Sequence, residues 1–528
     1  MRPIVLVRAE DPIAPPGTWE EFTEPLGICY LASVLKANGY PVLLIDGAIF
    51  GLNAEQVIME VVRNEPTLIG ITVPAQELLL HNISIAQRIK QLLPNTPVIL
   101  GGYSPTFMPD FILQHYLSVD GVVIGEGENI ICQLAEYASC PTEWYRIPGV
   151  VCRRNGSVYH SGPSPAPTNL DDVPFPCRWL LEALIEKGCR VASIVSSRGC
   201  PWRCSFCSIA RFARLERKPP WRARSPANVI SEMDLLIRRY GIKHFVFQDA
   251  NFMGGGEVGR RRAIQFADEI ITRGWRVTFD IACRADNVDM DVFRRLRNAG
   301  LQGVFIGVES GSQNTLDELV KDIRVEENER AIRTLLKLGI KPSIGIIMFT
   351  PLAKLADIQA TVELLQMFES YDLRVEGLFS SVYGYVGTDI AKGFDAELLL
   401  RDQNLPISDP TVRRLRQLLT DTIAPQYEAI LYHLFRIHNI TDALPHKQRN
   451  FVRTQVFAAE REARRIALDS FQYAIKAIVC PENSLEIVKA HLHEKFVVAL
   501  ERIKFTLVAM QQALEQVISA GPGTTIRR

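Results

Sequence analysis

Two successive series of alternating strand and helix patterns constrain this 528-residue chain more than any other feature. In the first, β-rich runs at residues 4–7, 42–45, 68–73, 98–100 and 121–124 alternate with helical periods such as 27–37, 54–62 and 82–93. Five strands with intervening helices predict a doubly wound parallel sheet over residues 1–140. Such sheets bind ligands beyond the carboxyl ends of their strands. Thr72-Val73, Gly101-Gly102-Tyr103 and Gly125-Glu126-Gly127 occupy those ends and are the candidate binding positions of this half. Glycine there lets a backbone approach a ligand closely.

The second series has strand runs at 191–195, 245–248, 277–282, 304–308, 343–349 and 378–382, with helical periods at 228–239, 263–273, 291–299 and 328–338. Six strands in about 200 residues fall short of a closed eight-stranded barrel of roughly 250 residues. An open (β/α)6 barrel over residues 191–395 is the expectation. Residues 141–190 read as a linker with a small hairpin turning at Asn155-Gly156, followed by the extended run Ser161-Gly162-Pro163-Ser164-Pro165-Ala166-Pro167. Residues 396–528 read as a helical C-terminal domain, with helices at 411–419, 451–478 and 485–517. Asn483 with Glu486 has the spacing of a helix cap. Arg449, Arg453, Arg461, Arg464 and Arg465, interrupted by Glu460 and Glu462, read as a solvated helix face, and residues 521–528 as a disordered tail.

Just after the first strand of the second series stands Ser197-Arg198-Gly199-Cys200-Pro201-Trp202-Arg203-Cys204-Ser205-Phe206-Cys207. Cys200, Cys204 and Cys207 supply three thiolates from one loop. A four-iron cluster has four irons to ligate, so three thiolates leave one open. An open metal site can bind and activate a small molecule. A zinc site lacking its fourth ligand and three unrelated thiols are the competing readings. The remaining eight of 11 cysteines are scattered, as in a reducing compartment rather than a disulfide framework.

At these residues the chain resembles the radical S-adenosylmethionine (SAM) superfamily, whose cluster motif Cys200, Cys204 and Cys207 match, with Phe206 in its aromatic position. The resemblance implies a [4Fe-4S] cluster whose open iron is chelated by SAM, and reductive cleavage of SAM to methionine and a 5'-deoxyadenosyl radical. Polar residues at later strand ends become candidates for holding SAM: Asp249, Arg284, Arg324, and Glu309 with Ser310 in Gly307-Val308-Glu309-Ser310-Gly311. The first half is similar to the cobalamin-binding domain that precedes the radical domain in one branch, through Pro25-Leu26-Gly27, Gly101-Gly102, Gly125-Glu126-Gly127-Glu128 and the link Asn169-Leu170-Asp171-Asp172-Val173-Pro174-Phe175-Pro176. That implies cobalamin without a histidine from an Asp-x-His-x-x-Gly loop. Asp46-Gly47-Ala48 lacks the histidine, and His81 and His115 have other neighbours. The implied activity is C-methylation of an unactivated carbon of a small molecule, lipid or natural-product precursor, with an electron donor such as flavodoxin or ferredoxin. Cyclisation or rearrangement, and non-catalytic cobalamin sensing, are the alternatives.

Lys plus Arg and Asp plus Glu are both 59, which argues against a generally basic nucleic-acid binder. No apolar run reaches the roughly 18 residues of a membrane span. Arg8, Glu10 and Asp11 follow Met1 too soon for a secretory signal, and a cytoplasmic enzyme is expected.

Overall fold

The computed structural model describes residues 2–12, 19–215, 218–441, 444, 446–480 and 484–519. The expected tail, residues 521–528, and the expected cap Asn483 lie outside the described residues. Strands β1 (Ile4–Arg8), β2 (Val42–Asp46), β3 (Leu68–Thr72), β4 (Val98–Gly101) and β5 (Gly121–Val123) pair in parallel in the order β2-β1-β3-β4-β5. This is a doubly wound order whose winding reverses between β1 and β3. Alternate residues of a strand face opposite sides of a sheet, and the two cores show it. Val5, Val7, Ile69 and Ile71 pack on one face, Ile4, Leu6, Leu68 and Ile99 on the other.

The expected hairpin forms as β6 (Val150–Arg154) and β7 (Ser157–His160). Asn155 and Gly156 have φ of 50° and 79°, as a two-residue turn with a mirror-image backbone requires. The hairpin is not a detached linker element. It pairs antiparallel with β5 and extends the first sheet to seven strands, because Val150, Val151 and Cys152 are buried in its cores.

The chain divides into two compact units. The first comprises residues 1–282, 298–300 and 384–403. Beyond the seven-stranded sheet it contains β8 (Val191–Ile194), β9 (Ser197–Gly199), β10 (Trp221–Ala223), β11 (His244–Phe247) and most of β12 (Thr278–Arg284). β8, β11 and β12 pair in parallel. β9 and β10 form an antiparallel ribbon with Arg198 opposite Arg222, an element the sequence pattern does not announce.

The second unit comprises residues 283–297, 301–383 and 404–528. Its strands β13 (Leu301–Glu309), β14 (Lys341–Ile346) and β15 (Arg374–Glu376) pair in parallel. The six barrel strands follow in chain order, β8, β11 and most of β12 in the first unit and β13, β14 and β15 in the second. The expected sixth strand at 378–382 is misplaced. β15 ends at Glu376, Gly377 turns with φ of 76°, and Ser381 makes only an isolated bridge to Phe349.

The C-terminal part is helical, as expected, with helices Pro410–Thr422, Ala424–Thr441 and His446–Ile478. The last expected helix is divided into Leu485–Leu492, a π turn at His493–Val497 and Val498–Ser519. Ser484 caps it by accepting from the Ile487 amide. The arginine run is not a solvated face throughout. Arg464 is buried and donates to the carbonyls of Glu369, Tyr371 and Leu373, closing a turn that precedes β15. No helix among the described residues is long and apolar enough to cross a membrane.

Candidate cluster and cofactor sites

The loop leaving β8 is fixed before it reaches the cysteines. Asp249, just past β11, accepts from the Ser196 amide at 2.7 Å, the Ser196 hydroxyl at 2.5 Å and the Ser197 hydroxyl at 2.7 Å. Arg262 donates to the Ser196 carbonyl at 3.0 Å and its hydroxyl at 2.6 Å. Both residues are buried. Asp249, expected beside SAM, thus spends both oxygens holding the loop. Gly199 then turns with φ of 82°, and a Cβ there would strike the Pro220 carbonyl.

Cys200, Cys204 and Cys207 follow, all half-buried, with Phe206 half-buried between the last two. Cys207 opens the helix Ser208–Phe212 and its amide donates to the Cys204 carbonyl at 3.2 Å. Burial pushes the Cys207 thiol up to about 11. The Ala210 and Ile209 amides oppose this, and the Cys204 and Cys200 sulfurs add to it. The Cys200 and Cys204 sulfurs are therefore both within electrostatic reach of Cys207. Asn251 Nδ2 lies 4.0 Å from Cys200 Sγ, and its buried Oδ1 has no hydrogen-bond partner among the described residues. No three His, Cys, Asp or Glu side chains among the described residues close on a single point. A cubane spreads its thiolates over separate irons, so this donor set fits the chemistry of a four-iron cluster.

In the second unit, β13 bulges between Gly307 and Glu309, and Glu309 has φ of 62°. Lys321 Nζ donates to Glu309 Oε1 at 2.6 Å. A Cβ at Gly307 would collide with that carboxylate and come within 2.8 Å of Lys321 Nζ. Val320 and Asp322, on either side of Lys321, have φ of 51° and 52°. Each such left-handed residue costs about 1–3 kcal/mol and persists only where its surroundings over-determine it. Arg284 pairs with Asp286 at 3.0 Å and donates to the Lys321 carbonyl at 2.7 Å. Ser310 is buried, within 2.9 Å of the Thr361 hydroxyl and accepting from the Ser312 amide at 3.0 Å. Arg324 is exposed at the head of the helix Val325–Lys337. Of these four candidates, Glu309 and Arg284 both meet Lys321, Ser310 is committed to internal packing, and Arg324 is not drawn in. Lys321 itself has no sequence signature, since its partners come from distant strand ends.

At the strand ends of the first sheet, Thr72 closes β3 and the Val73 amide donates to the Gly101 carbonyl at 2.8 Å. Gly102 has φ of 109°, and a Cβ there would lie 2.5 Å from the Val73 carbonyl oxygen. The Tyr103 ring packs 4.6 Å from Phe212, centroid to centroid, on the helix after the cysteines. Burial, with the Cys207 and Glu126 charges adding, pushes its phenol up to about 12. In the next turn the Gly125 amide donates to Thr106 Oγ1 at 3.2 Å, and at Gly127 a Cβ would press on Leu31. Glu126 pairs with Arg198 at 2.7 Å, Lys218 at 2.6 Å and Arg222. Burial alone would raise its carboxyl, but the three cations hold it at about 2. Asp46 pairs with Arg8 at 2.7 Å and caps the turn Gly47–Phe50, which gives the histidine-free Asp46-Gly47-Ala48 stretch a purely structural task. The glycine turns are thus closely packed strand ends on the carboxyl edge of the sheet, where doubly wound folds bind ligands.

Residues 17–135 match the B12 binding domain family and residues 194–365 the radical SAM superfamily. The chain belongs to the cobalamin-binding radical SAM enzymes. Over 341 residues it is 28% identical to an uncharacterized methyltransferase of Pyrococcus horikoshii, covering 64% of this chain and 72% of that protein. Over 336 residues it is 29% identical to the anaerobic magnesium-protoporphyrin IX monomethyl ester cyclase of Rubrivivax gelatinosus, covering 61% of this chain and 58% of that one. The fold is similar to that of the cobalamin-dependent SAM radical enzyme OxsB, solved with aqua-cobalamin and SAM bound. The TM-score is 0.73 at 19% identity, over 98% of this chain and 80% of that one. In this cobalamin-binding radical SAM enzyme, sequence reasoning locates the cysteines and strand-end turns but misses Arg198, Arg262 and Lys321. All three act through partners far away in sequence.

Proposed function

We propose that this protein is a cobalamin-dependent radical SAM C-methyltransferase acting on an unactivated carbon of a small molecule, lipid or natural-product precursor. The observation that carries the reading is the loop of three thiols, pinned by Asp249 and Arg262, in a chain that also has a cobalamin-type sheet. When bound, the cluster and cobalamin supply the electron that breaks the SAM sulfonium bond and the methyl group to be transferred. Cys200, Cys204 and Cys207 hold the cluster and leave its fourth iron to SAM. Glu309, one oxygen on Lys321, offers its second oxygen to the ribose hydroxyls or amino group of SAM. Val73, Gly101, Gly102, Gly125 and Gly127 give cobalamin close backbone approach. Tyr103 and Phe212 exclude water beside the cysteine loop, where a radical must be kept from solvent.

The reading divides the chain into residues 1–140 for cobalamin, 141–190 as connector, 191–395 for the cluster and SAM, and 396–528 for substrate choice. It places the enzyme in the cytoplasm with a flavodoxin- or ferredoxin-type donor. The name of the P. horikoshii relative supports methyl transfer. The cyclase name of the R. gelatinosus relative favours ring formation as the second reading. Protein reconstituted without oxygen, given reduced cobalamin and SAM labelled in its methyl group, separates them. Methyl transfer requires label to be retained on the cobalamin, whereas ring formation requires none.

A further inference from the structure

We infer that Arg198 and Glu126 are positioning residues whose opposed charges set the reduction potential of the cluster on the cysteine loop, an inference that rests on the cluster reading above. The ribbon of β9 and β10 places Arg198 directly opposite Arg222. Like charges facing each other across an antiparallel pair are destabilising. Glu126, from the turn after β5, resolves the conflict by reaching both guanidinium groups and Lys218. Arg198 takes a second carboxylate, Glu128, at 2.6 Å, and its guanidinium lies 5.2 Å from the centroid of the Tyr30 ring.

These side chains are shielded from water: Arg198 is 18% exposed, Glu126 9% and Lys218 4%. Charges so placed are weakly screened. Arg198 is two residues ahead of Cys200. The helix Tyr103–Phe107 locates the network further: the Tyr103 ring packs 4.6 Å from Phe212, on the helix that Cys207 opens, and Thr106 accepts from the Gly125 amide beside Glu126.

An electron added to a cluster is a negative charge, and cluster potentials respond to nearby net charge. The Arg198 cation favours the reduced state and the Glu126 anion opposes it. A residue that merely braces the ribbon would act alike whichever partner is removed. A charge acting on the cluster gives shifts of opposite sign.

The test is a redox titration of full-length, anaerobically reconstituted protein, followed by the electron paramagnetic resonance signal of the reduced cluster, with iron content measured alongside. Glu126→Gln is expected to raise the potential and Arg198→Gln to lower it, both at wild-type iron content. Shifts in the same direction, or none, at full iron content overturn the inference. If either variant loses iron, Glu128→Gln decides, because Glu128 pairs with Arg198 and its substitution leaves the Glu126 contacts to Lys218 and Arg222 in place. A raised potential supports the inference, and an unchanged or lowered one overturns it. Wild-type protein that assembles no cluster overturns the cluster reading itself, and this inference with it.

Discussion

Asp249 accepts a hydrogen bond from the Ser196 hydroxyl at 2.5 Å. The second barrel strand thereby holds the loop that leaves the first, four residues before Cys200. With the Ser196 amide and the Ser197 hydroxyl on the same carboxylate, three donors depend on one buried side chain. Unpaired buried donors cost about 1–3 kcal/mol each. Asp249→Ala is expected to lower stability by about 3 kcal/mol or more and to reduce iron bound after reconstitution. Denaturant unfolding of the metal-free protein and iron analysis check the two effects. Asp249→Asn, which keeps an acceptor, is expected to fall between.

Lys321 Nζ donates to Glu309 Oε1 at 2.6 Å, and both side chains are buried. Removing one member of a buried ion pair costs about 3–5 kcal/mol because the other charge is stranded. Lys321→Met is expected to destabilise on that scale and to weaken SAM binding by about tenfold or more. Lys321→Arg is expected to retain most of the affinity. Equilibrium binding of SAM to reconstituted protein reads the difference without turnover.

Glu126 gives a pH dependence with a definite sign. Its carboxyl is depressed from about 4.5 to about 2 in the folded protein. A depressed carboxylate contributes stability that is fully present above its unfolded value and is lost as pH falls through the folded one. The contribution is roughly 3 kcal/mol from a shift of this size. The stability advantage of the metal-free wild type over Glu126→Gln is expected to be constant above about pH 5 and to shrink between pH 4.5 and pH 2. Urea unfolding of both proteins across that range measures it.

Gly199 and Gly102 both have left-handed φ and no space for a side chain, and the proposed function assigns the first to the cluster loop and the second to the cobalamin turn. Gly199→Ala is expected to lower iron content with little effect on cobalamin binding. Gly102→Ala is expected to lower cobalamin affinity with iron content kept. Iron analysis and cobalamin absorbance on the same two samples check the double dissociation.

The parallel strands and the cysteine loop were legible because each is local. β-rich runs alternate with helical periods, and three thiols fall within eight residues. The hairpin was legible from Asn155-Gly156, but its membership in the first sheet was not, since pairing with β5 is non-local. β15 was missed because Val375 is the single buried residue of a three-residue edge strand, whereas the apolar run after Gly377 looks more like a strand. Glu126 and Asp249 were legible as strand-end residues. What they bind was not, because Arg198, Lys218 and Ser196 become their neighbours only after folding.

The most direct test of the central claim, that three thiolates hold an iron–sulfur cluster which cleaves SAM, is 5'-deoxyadenosine formation by oxygen-free reconstituted protein given SAM and a strong reductant. The account requires the wild type to form it and Cys204→Ala to form none. Equal formation by both, or cluster-loaded wild type that forms none, would contradict it.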